Sequence, residues 1–414
     1  KTAYEISTRD WSSDVCSSDL RIRGFGCHRL LTRPLPQPQW AQNPLWPLRN
    51  RVSIWAFAGA GQGAGTLIHG LASQLVRWTT WRCSKSCLGL GVADSDSRYS
   101  LASPRRLGVP TNIGIFHAFS SPRSLPLRQD VCFPSDGLNI SGHLHVPDDL
   151  PAGQRRPGML VLHGFGSNKN GGISKVAADF FAQHGFVTLA FDMRGCGESE
   201  GERGKVIPLE QVRDTQHALD FLLQRPEVQV DRVGVMGFSF GAAVAIYACA
   251  TEPRLACCIS VGGWGDGEKK FKLQHATPEA WTRFNRMLEH GRAELGLGRS
   301  IRVPRFDIVP VRPDMRNNLS AGSILEFPFE VVDSMYRFRS IDVVHQIAPR
   351  PLLLLHPAQD TVTPTVQSID LFEQAGQPTE LHLMAEVDHF MLGENNPVVR
   401  AVLKAWLDKY FPVA

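Results

Sequence analysis

The sequence predicts an α/β fold: a mostly parallel, doubly wound sheet with helices on both faces and an inserted helical cap. Three observations carry this prediction. From residue 126 onward, short apolar runs alternate with helix-length amphipathic stretches, the pattern of strands joined by crossover helices. The residues able to do chemistry fall just beyond the carboxyl ends of the apolar runs, where open α/β sheets place their sites. Residues 263–346 separate two consecutive strands where one helix would suffice, which marks an insertion.

Leu127–Phe133 and Leu138–Val146 alternate apolar and polar residues around Pro134-Ser-Asp-Gly137 and read as an antiparallel hairpin. Gly158–Leu162 is a short buried-type strand that ends in His163-Gly-Phe-Gly166. Ile173, Val176, Ala177, Phe180 and Phe181 recur at helical spacing, with Gly185 as the stop. Phe186–Phe191 is a strand closed by Asp192-Met-Arg-Gly-Cys-Gly-Glu-Ser199, and Leu209–Gln224 is a helix. Arg232–Met236 is a strand, Phe240–Ala250 a helix rich in small residues, and Leu255–Val261 the next strand. Within the insertion, Thr277-Pro278 opens a helix with Thr as cap and Pro at its first position, and Trp281, Phe284, Met287 and Leu288 form its apolar face. A second helix is expected at Phe329–Phe338. Pro351–His356, Thr365–Ala375, Glu380–Met384 and Pro397–Phe411 complete the alternation as strand, helix, strand and helix. An insertion at this place in such a sheet should overhang its catalytic end.

The stretch Val233-Gly-Val-Met-Gly-Phe-Ser-Phe-Gly-Ala-Ala243 has the form of a nucleophile elbow. A strand runs into Gly237-Phe-Ser-Phe-Gly241 and a helix leaves it. Ser239 would sit on the strained turn, with glycines letting strand and helix pass closely. A serine hydroxyl is a weak nucleophile at neutral pH, so it needs a base and an acid to orient that base. Ser, acid, His is the expected order. Asp360, after the strand ending at His356, is the candidate acid; Asp370 falls within the following helix. His389, after Glu380–Met384, is the candidate base; His382 and His356 lie in strands, and Asp388 reads as solvated. The oxyanion formed on attack needs two backbone N–H donors, assigned to Phe240 and Phe165. His163 reads as structural, Arg194 as paired to a nearby carboxylate that fixes its loop, and Cys196 as unreactive.

His163-Gly-Phe-Gly, Asp192-Met-Arg-Gly-Cys-Gly-Glu-Ser, Gly237-Phe-Ser-Phe-Gly, Asp360 and His389 together resemble the α/β-hydrolase superfamily over residues 126–414. Val212–Gly241 is similar to the branch with prolyl-oligopeptidase-like, X-Pro-peptidase-like and dienelactone-hydrolase-like members. The resemblance implies a Ser-His-Asp hydrolase of esters, thioesters or peptides that needs no metal or cofactor. Dienelactone hydrolases carry cysteine at the elbow and haloalkane dehalogenases aspartate, and here the residue is serine. Carboxylic ester or thioester cleavage is the first expectation. A serine peptidase is the second, with Glu326, Glu330 and Asp333 of the cap as candidates to hold a substrate amine. A catalytically silent hydrolase fold used for binding is the third.

The front of the chain differs. Residues 1–125 hold 15 Lys+Arg against 6 Asp+Glu, whereas the remainder holds 29 against 34. Residues 1–20 closely resemble translated sequencing-adapter read-through. In residues 21–125 no acid occurs between Asp19 and Asp94, and six of the nine tryptophans of the chain lie before residue 82. Out-of-frame translation of GC-rich DNA would give that composition, ahead of a targeting segment or a nucleic-acid-binding arm. Residues 1–125 are therefore expected to be a basic, disordered or artefactual segment. Gly59-Ala-Gly61-Gln-Gly-Ala64 fits a dinucleotide-binding turn, but no acid follows at ribose-binding distance. Cys83 and Cys87 have no second pair with ligand spacing, so no metal is expected. The expected partner is a small ester or short peptide substrate, with neither nucleic acid nor membrane involved. Without a signal pattern at Lys1, a cytoplasmic location is expected; the sequence does not indicate an oligomeric state.

Overall fold

The computed structural model describes residues 127–393 and 396–413. The expectations for the front segment, including the Gly59–Ala64 turn and the Cys83/Cys87 pair, lie outside the described residues.

β1 (Leu127–Ser135) and β2 (Leu138–Val146) form the predicted hairpin. β1 continues through Pro134 and Ser135, so Asp136-Gly137 alone makes the turn, with φ of 48° and 83°. Positive φ at both central residues is the type I′ arrangement, whose twist matches that of the strands, and Asp-Gly suits it. β3 (Arg156–Leu162), β4 (Val187–Phe191), β5 (Val228–Phe238), β6 (Leu255–Val261), β9 (Leu352–Pro357) and β10 (Thr379–Met384) complete one eight-stranded sheet in the order β1-β2-β4-β3-β5-β6-β9-β10. β2 runs antiparallel to both β1 and β4, and every pair from β4 to β10 is parallel.

The apolar runs are continuous because the parallel strands are buried on both faces. Alternate residues feed two cores: Leu160 and Leu162 belong to one, Met159 and Val161 to the other. On the first face lie α2 (Pro208–Leu223), α3 (Phe240–Thr251) and α8 (Val366–Gln374), through Leu219, Ala243 and Leu371 among others. On the second lie α1 (Gly172–Gln183) and α9 (Pro397–Tyr410), through Phe180, Phe181, Leu403 and Trp406. Gly185 follows α1 with φ 93°, the left-handed stop expected of it.

The segment between β6 and β9 is richer than the two expected helices. It holds α4 (Gly267–Gln274), α5 (Pro278–Gly296), a two-stranded antiparallel ribbon of β7 (Arg302–Pro304) and β8 (Glu326–Pro328), the single turn α6 (Arg305–Ile308) and α7 (Phe329–Arg337). α5 starts as read: Thr277 Oγ1 accepts from Ala280 N at 3.2 Å and Pro278 takes the first position. Its Phe284 and Leu288 are buried, and Phe284 stacks on Phe271 of α4 at 4.9 Å.

Candidate active site

β5 delivers Ser239 to the carboxyl edge of the sheet, where its amide donates to Val261 O on β6 at 2.9 Å. Ser239 takes φ 54° and ψ −114°, a strained conformation for a residue with a side chain. The flanking glycines are steric requirements. A Cβ at Gly237 would lie 2.0 Å from Gly241 O, and one at Gly241 would lie 2.4 Å from His163 O. Only bare backbones allow α3 to leave the strand end so close to the turn after β3.

His389 Nε2 lies 3.0 Å from Ser239 Oγ, and its Nδ1 lies 2.8 Å from Asp360 Oδ2. An ionised carboxylate only accepts, so Nδ1 carries the proton and Nε2 is left to accept from the serine. Asp360 Oδ1 accepts from the amides of Val362 and Thr363, both at 2.7 Å. Burial by itself raises the Asp360 pKa. Electrostatic attraction toward His389 and hydrogen bonds from His356 and His389 outweigh it and hold the carboxyl well below its ordinary value.

Two neighbours have roles that the sequence did not reveal. His356 is buried, with Nδ1 2.7 Å from Ser368 Oγ and Nε2 3.0 Å from Thr363 O and 3.3 Å from Asp360 Oδ2. It braces the acid. Asp388, read as solvated, instead joins the two loops: it accepts from Thr361 N at 3.0 Å, from Thr361 Oγ1 and from the amide of His389 at 2.7 Å. Asp370 lies in α8, paired to Lys269 at 2.6 Å, and His382 pairs with Glu380 at 3.1 Å, so neither reaches Ser239.

Phe165 and Phe240, on either side of the serine, bring their rings to 5.8 Å. Among the described residues neither amide has a protein acceptor. His163 holds the turn, with Nδ1 2.8 Å from Gly164 O and Nε2 accepting from Met193 N at 3.1 Å. Burial pulls its pKa down, in keeping with a neutral structural imidazole.

The loop after β4 is fixed by two buried ion pairs. Arg194 binds Asp214 through Nε at 2.9 Å and Nη2 at 2.7 Å, and reaches Asp136 at 2.9 Å. Lys169 Nζ binds Asp192 at 2.8 Å and Glu198 at 2.6 Å. Lys169 was not singled out in the sequence, because its partners lie more than twenty residues away. Cys196 is buried and burial pushes its thiol pKa up, so it stays protonated and inert.

Ser239 and His389 open into a narrow cavity of about 50 Å³. Phe165, Phe238 and Phe390 line it from the sheet side, and Arg305, Val309, Val311 and Leu319 from the insertion. Glu326 is exposed and Glu330 half-buried; Glu330 bonds Ser300, and Asp333 pairs with Arg292 at 2.8 Å and Arg337 at 2.9 Å. None of these three acids lines the cavity. Among the described residues that line it, Arg305 is the only Lys, Arg, Asp or Glu, and it is 7% exposed. Burial pulls its pKa down to about 10, so it remains protonated at neutral pH.

The sheet order, the elbow and the placement of the site at the carboxyl ends of the strands define an α/β hydrolase. Residues 153–396, more than half of the chain, match the family described as serine aminopeptidase, S33, and the chain belongs to that family. It is 28% identical over 285 residues to a thiohydrolase of Eupenicillium brefeldianum, covering 64% of this chain and 89% of the relative. It is 27% identical over 296 residues to a polyketide transferase of a Penicillium species, covering 68% and 95%. The crystal structure of the α/β hydrolase GrgF from Penicillium sp. sh18 superposes with a TM-score of 0.54 at 25% identity, over 68% of this chain and 97% of that one.

Proposed function

We propose that the chain is a serine hydrolase that cleaves a carboxylic ester or thioester through an acyl-enzyme intermediate. The observation that carries this reading is the continuous line Ser239 Oγ, His389 Nε2, His389 Nδ1, Asp360 Oδ2, with contacts of 3.0 and 2.8 Å, at the wall of a cavity. His389 takes the proton as Ser239 Oγ attacks the acyl carbon. The amides of Phe240 and Phe165 receive the oxyanion, and both lack a competing protein acceptor among the described residues. The proton then passes from His389 to the departing alkoxide or thiolate. Water enters, His389 takes its proton, and the collapse of the second tetrahedral adduct frees the acid and restores the Ser239 hydroxyl. The similarity to a thiohydrolase supports the thioester arm. In this reading the segment 263–346 acts as a cap, supplying Arg305, Val309, Val311 and Leu319 to the acyl site.

Peptidase activity is the second reading, favoured by the family and by the likeness of Val212–Gly241 to peptidase-containing branches. The cavity argues against an aminopeptidase. A substrate ammonium needs a carboxylate, and the nearest fixed charge on this wall is the cation Arg305. A silent binding fold would leave the strained Ser239 turn without a purpose.

The test is a fluorophosphonate probe on wild type and Ser239→Ala, followed by turnover of p-nitrophenyl esters, acyl thioesters and aminoacyl anilides. Labelling of wild type alone, with ester or thioester turnover, is expected. Equal labelling of both proteins would remove Ser239 as nucleophile, and anilide turnover exceeding ester turnover would favour the peptidase.

A further inference from the structure

We propose that Arg305 is a positioning residue for the oxyanion hole, fastening the turn that carries Phe165 to the inserted segment. The proposal rests on the serine hydrolase reading above. Arg305 Nη2 donates to Phe165 O at 2.8 Å, and Nη1 donates to Ile324 O at 2.9 Å. Its guanidinium lies 5.2 Å from the centroid of the Phe165 ring, on which Phe327 of β8 stacks at 4.1 Å. Ile324 N closes the link by donating to Gly166 O at 2.9 Å. One backbone bond, one ring stack and one guanidinium bonded to a carbonyl on each side therefore join residues 165–166 to residues 324–327, segments with no sequence proximity.

Arg305 has no carboxylate partner among the described residues, and its Nε is buried without an acceptor. A buried cation without a counter-charge is costly, so packing alone does not account for it; an apolar side chain of similar volume would pack at lower cost. Its planar fork does what no apolar residue can, spanning two carbonyls on different segments. Phe165 N and Phe165 O flank one Cα. Holding both the carbonyl and the ring anchors that Cα and so restrains the N–H assigned to the oxyanion. Such donors act only when they sit within about 3 Å of the oxyanion position, and a displacement of about 1 Å costs about 10²-fold in rate. The insertion would thus be part of the machinery of acyl transfer as well as a wall of the acyl site.

The experiment compares wild type, Arg305→Met and Arg305→Lys on a neutral ester and on an ester of equal length whose acyl chain ends in a carboxylate. Both esters should lose about 10²-fold in kcat in Arg305→Met with KM changed less than about threefold, and Arg305→Lys should fall between. A boronic acid that mimics the tetrahedral adduct should weaken in step with kcat/KM, while the product carboxylate keeps its affinity. A loss confined to the KM of the carboxylate-bearing ester would overturn the proposal and make Arg305 a receptor for substrate anions. If Arg305→Met does not fold, Arg305→Lys decides, and wild-type kcat in that variant refutes the positioning role. Absence of ester and thioester turnover in wild type would count against the proposed function, whereas turnover in wild type with unchanged kcat in the variants counts against Arg305 alone.

Discussion

His389 meets Asp360 through a single carboxylate oxygen at 2.8 Å, while the other oxygen is committed to the amides of Val362 and Thr363 at 2.7 Å each. The acid is thereby fixed in rotation before it orients the imidazole. Asp360→Asn keeps an oxygen for the two amides and turns its NH2 toward His389 Nδ1. That nitrogen must then accept, which moves the proton to Nε2 and removes the acceptor that Ser239 needs. A fall in kcat of about 10⁴-fold is expected with a thermal midpoint near wild type. Steady-state kinetics beside a melting curve checks it, and a variant within tenfold of wild-type kcat would contradict the role assigned to Asp360.

The elbow gives a steric prediction. Gly241→Ala would place a methyl group 2.4 Å from His163 O and 2.8 Å from Leu162 O, so α3 must shift away from the end of β3. A loss on the order of 1–3 kcal/mol is expected, together with lower labelling of Ser239 in whatever protein folds. Gly172→Ala serves as the control, because nothing lies within 4 Å of its added Cβ. Denaturant midpoints of the two variants should separate clearly; equal midpoints would show that the close approach at Gly241 is not limiting.

Lys169 sits between Asp192 and Glu198, and the Lys169 and Asp192 side chains are 1% and 0% exposed. Lys169→Met would leave the Asp192 carboxylate buried with only the amides of Lys169 and Glu198 as donors. Removing one partner of such a pair costs about 3–5 kcal/mol. Adding Asp192→Asn should recover part of that loss, since the stranded charge disappears. Chemical denaturation of the single and double variants tests this, and additive losses would argue against coupling.

The parts of the molecule that could be read from the sequence are those whose cause is local. β3 to β6 are continuous apolar runs because both faces are buried; Ser239 and Asp360 follow runs of this kind, and His389 follows the alternating edge strand β10. α4 was not anticipated from the sequence: Asp266 caps it at Lys269 N at 2.9 Å, but the mostly charged helix that follows lacks a strong apolar stripe. The ribbon of β7 and β8 gave no local signal: each strand has three residues, and they pair across more than twenty positions. Arg305, Lys169 and Asp388 escaped the sequence for the same reason. Arg305 and Lys169 bind carbonyls and carboxylates, and Asp388 binds the amide and hydroxyl of Thr361, groups brought together only by the folded chain. The acids Glu326, Glu330 and Asp333 show the converse, being plausible by type and charge but absent from the cavity wall.

Lys270 provides a prediction in pH. It lies on α4 with 2% exposure, its Nζ has no hydrogen-bond partner, and it sits over the rings of Phe271 at 3.9 Å and Trp264 at 5.3 Å. Burial pushes its pKa down to about 7. An unfolded lysine titrates near 10.4, so between about pH 7 and pH 10.4 the unfolded chain holds a proton that the folded chain lacks. Stability from this group therefore rises with pH across that window, and below about pH 7 its full penalty is present. Lys270→Met removes the penalty and keeps the volume. The variant should exceed wild type by on the order of a few kcal/mol at pH 6–7, with the gap narrowing toward pH 10. Thermal midpoints of both proteins from pH 6 to 10 test it; a gap independent of pH, or a less stable variant, would show that the ammonium is accommodated in the fold.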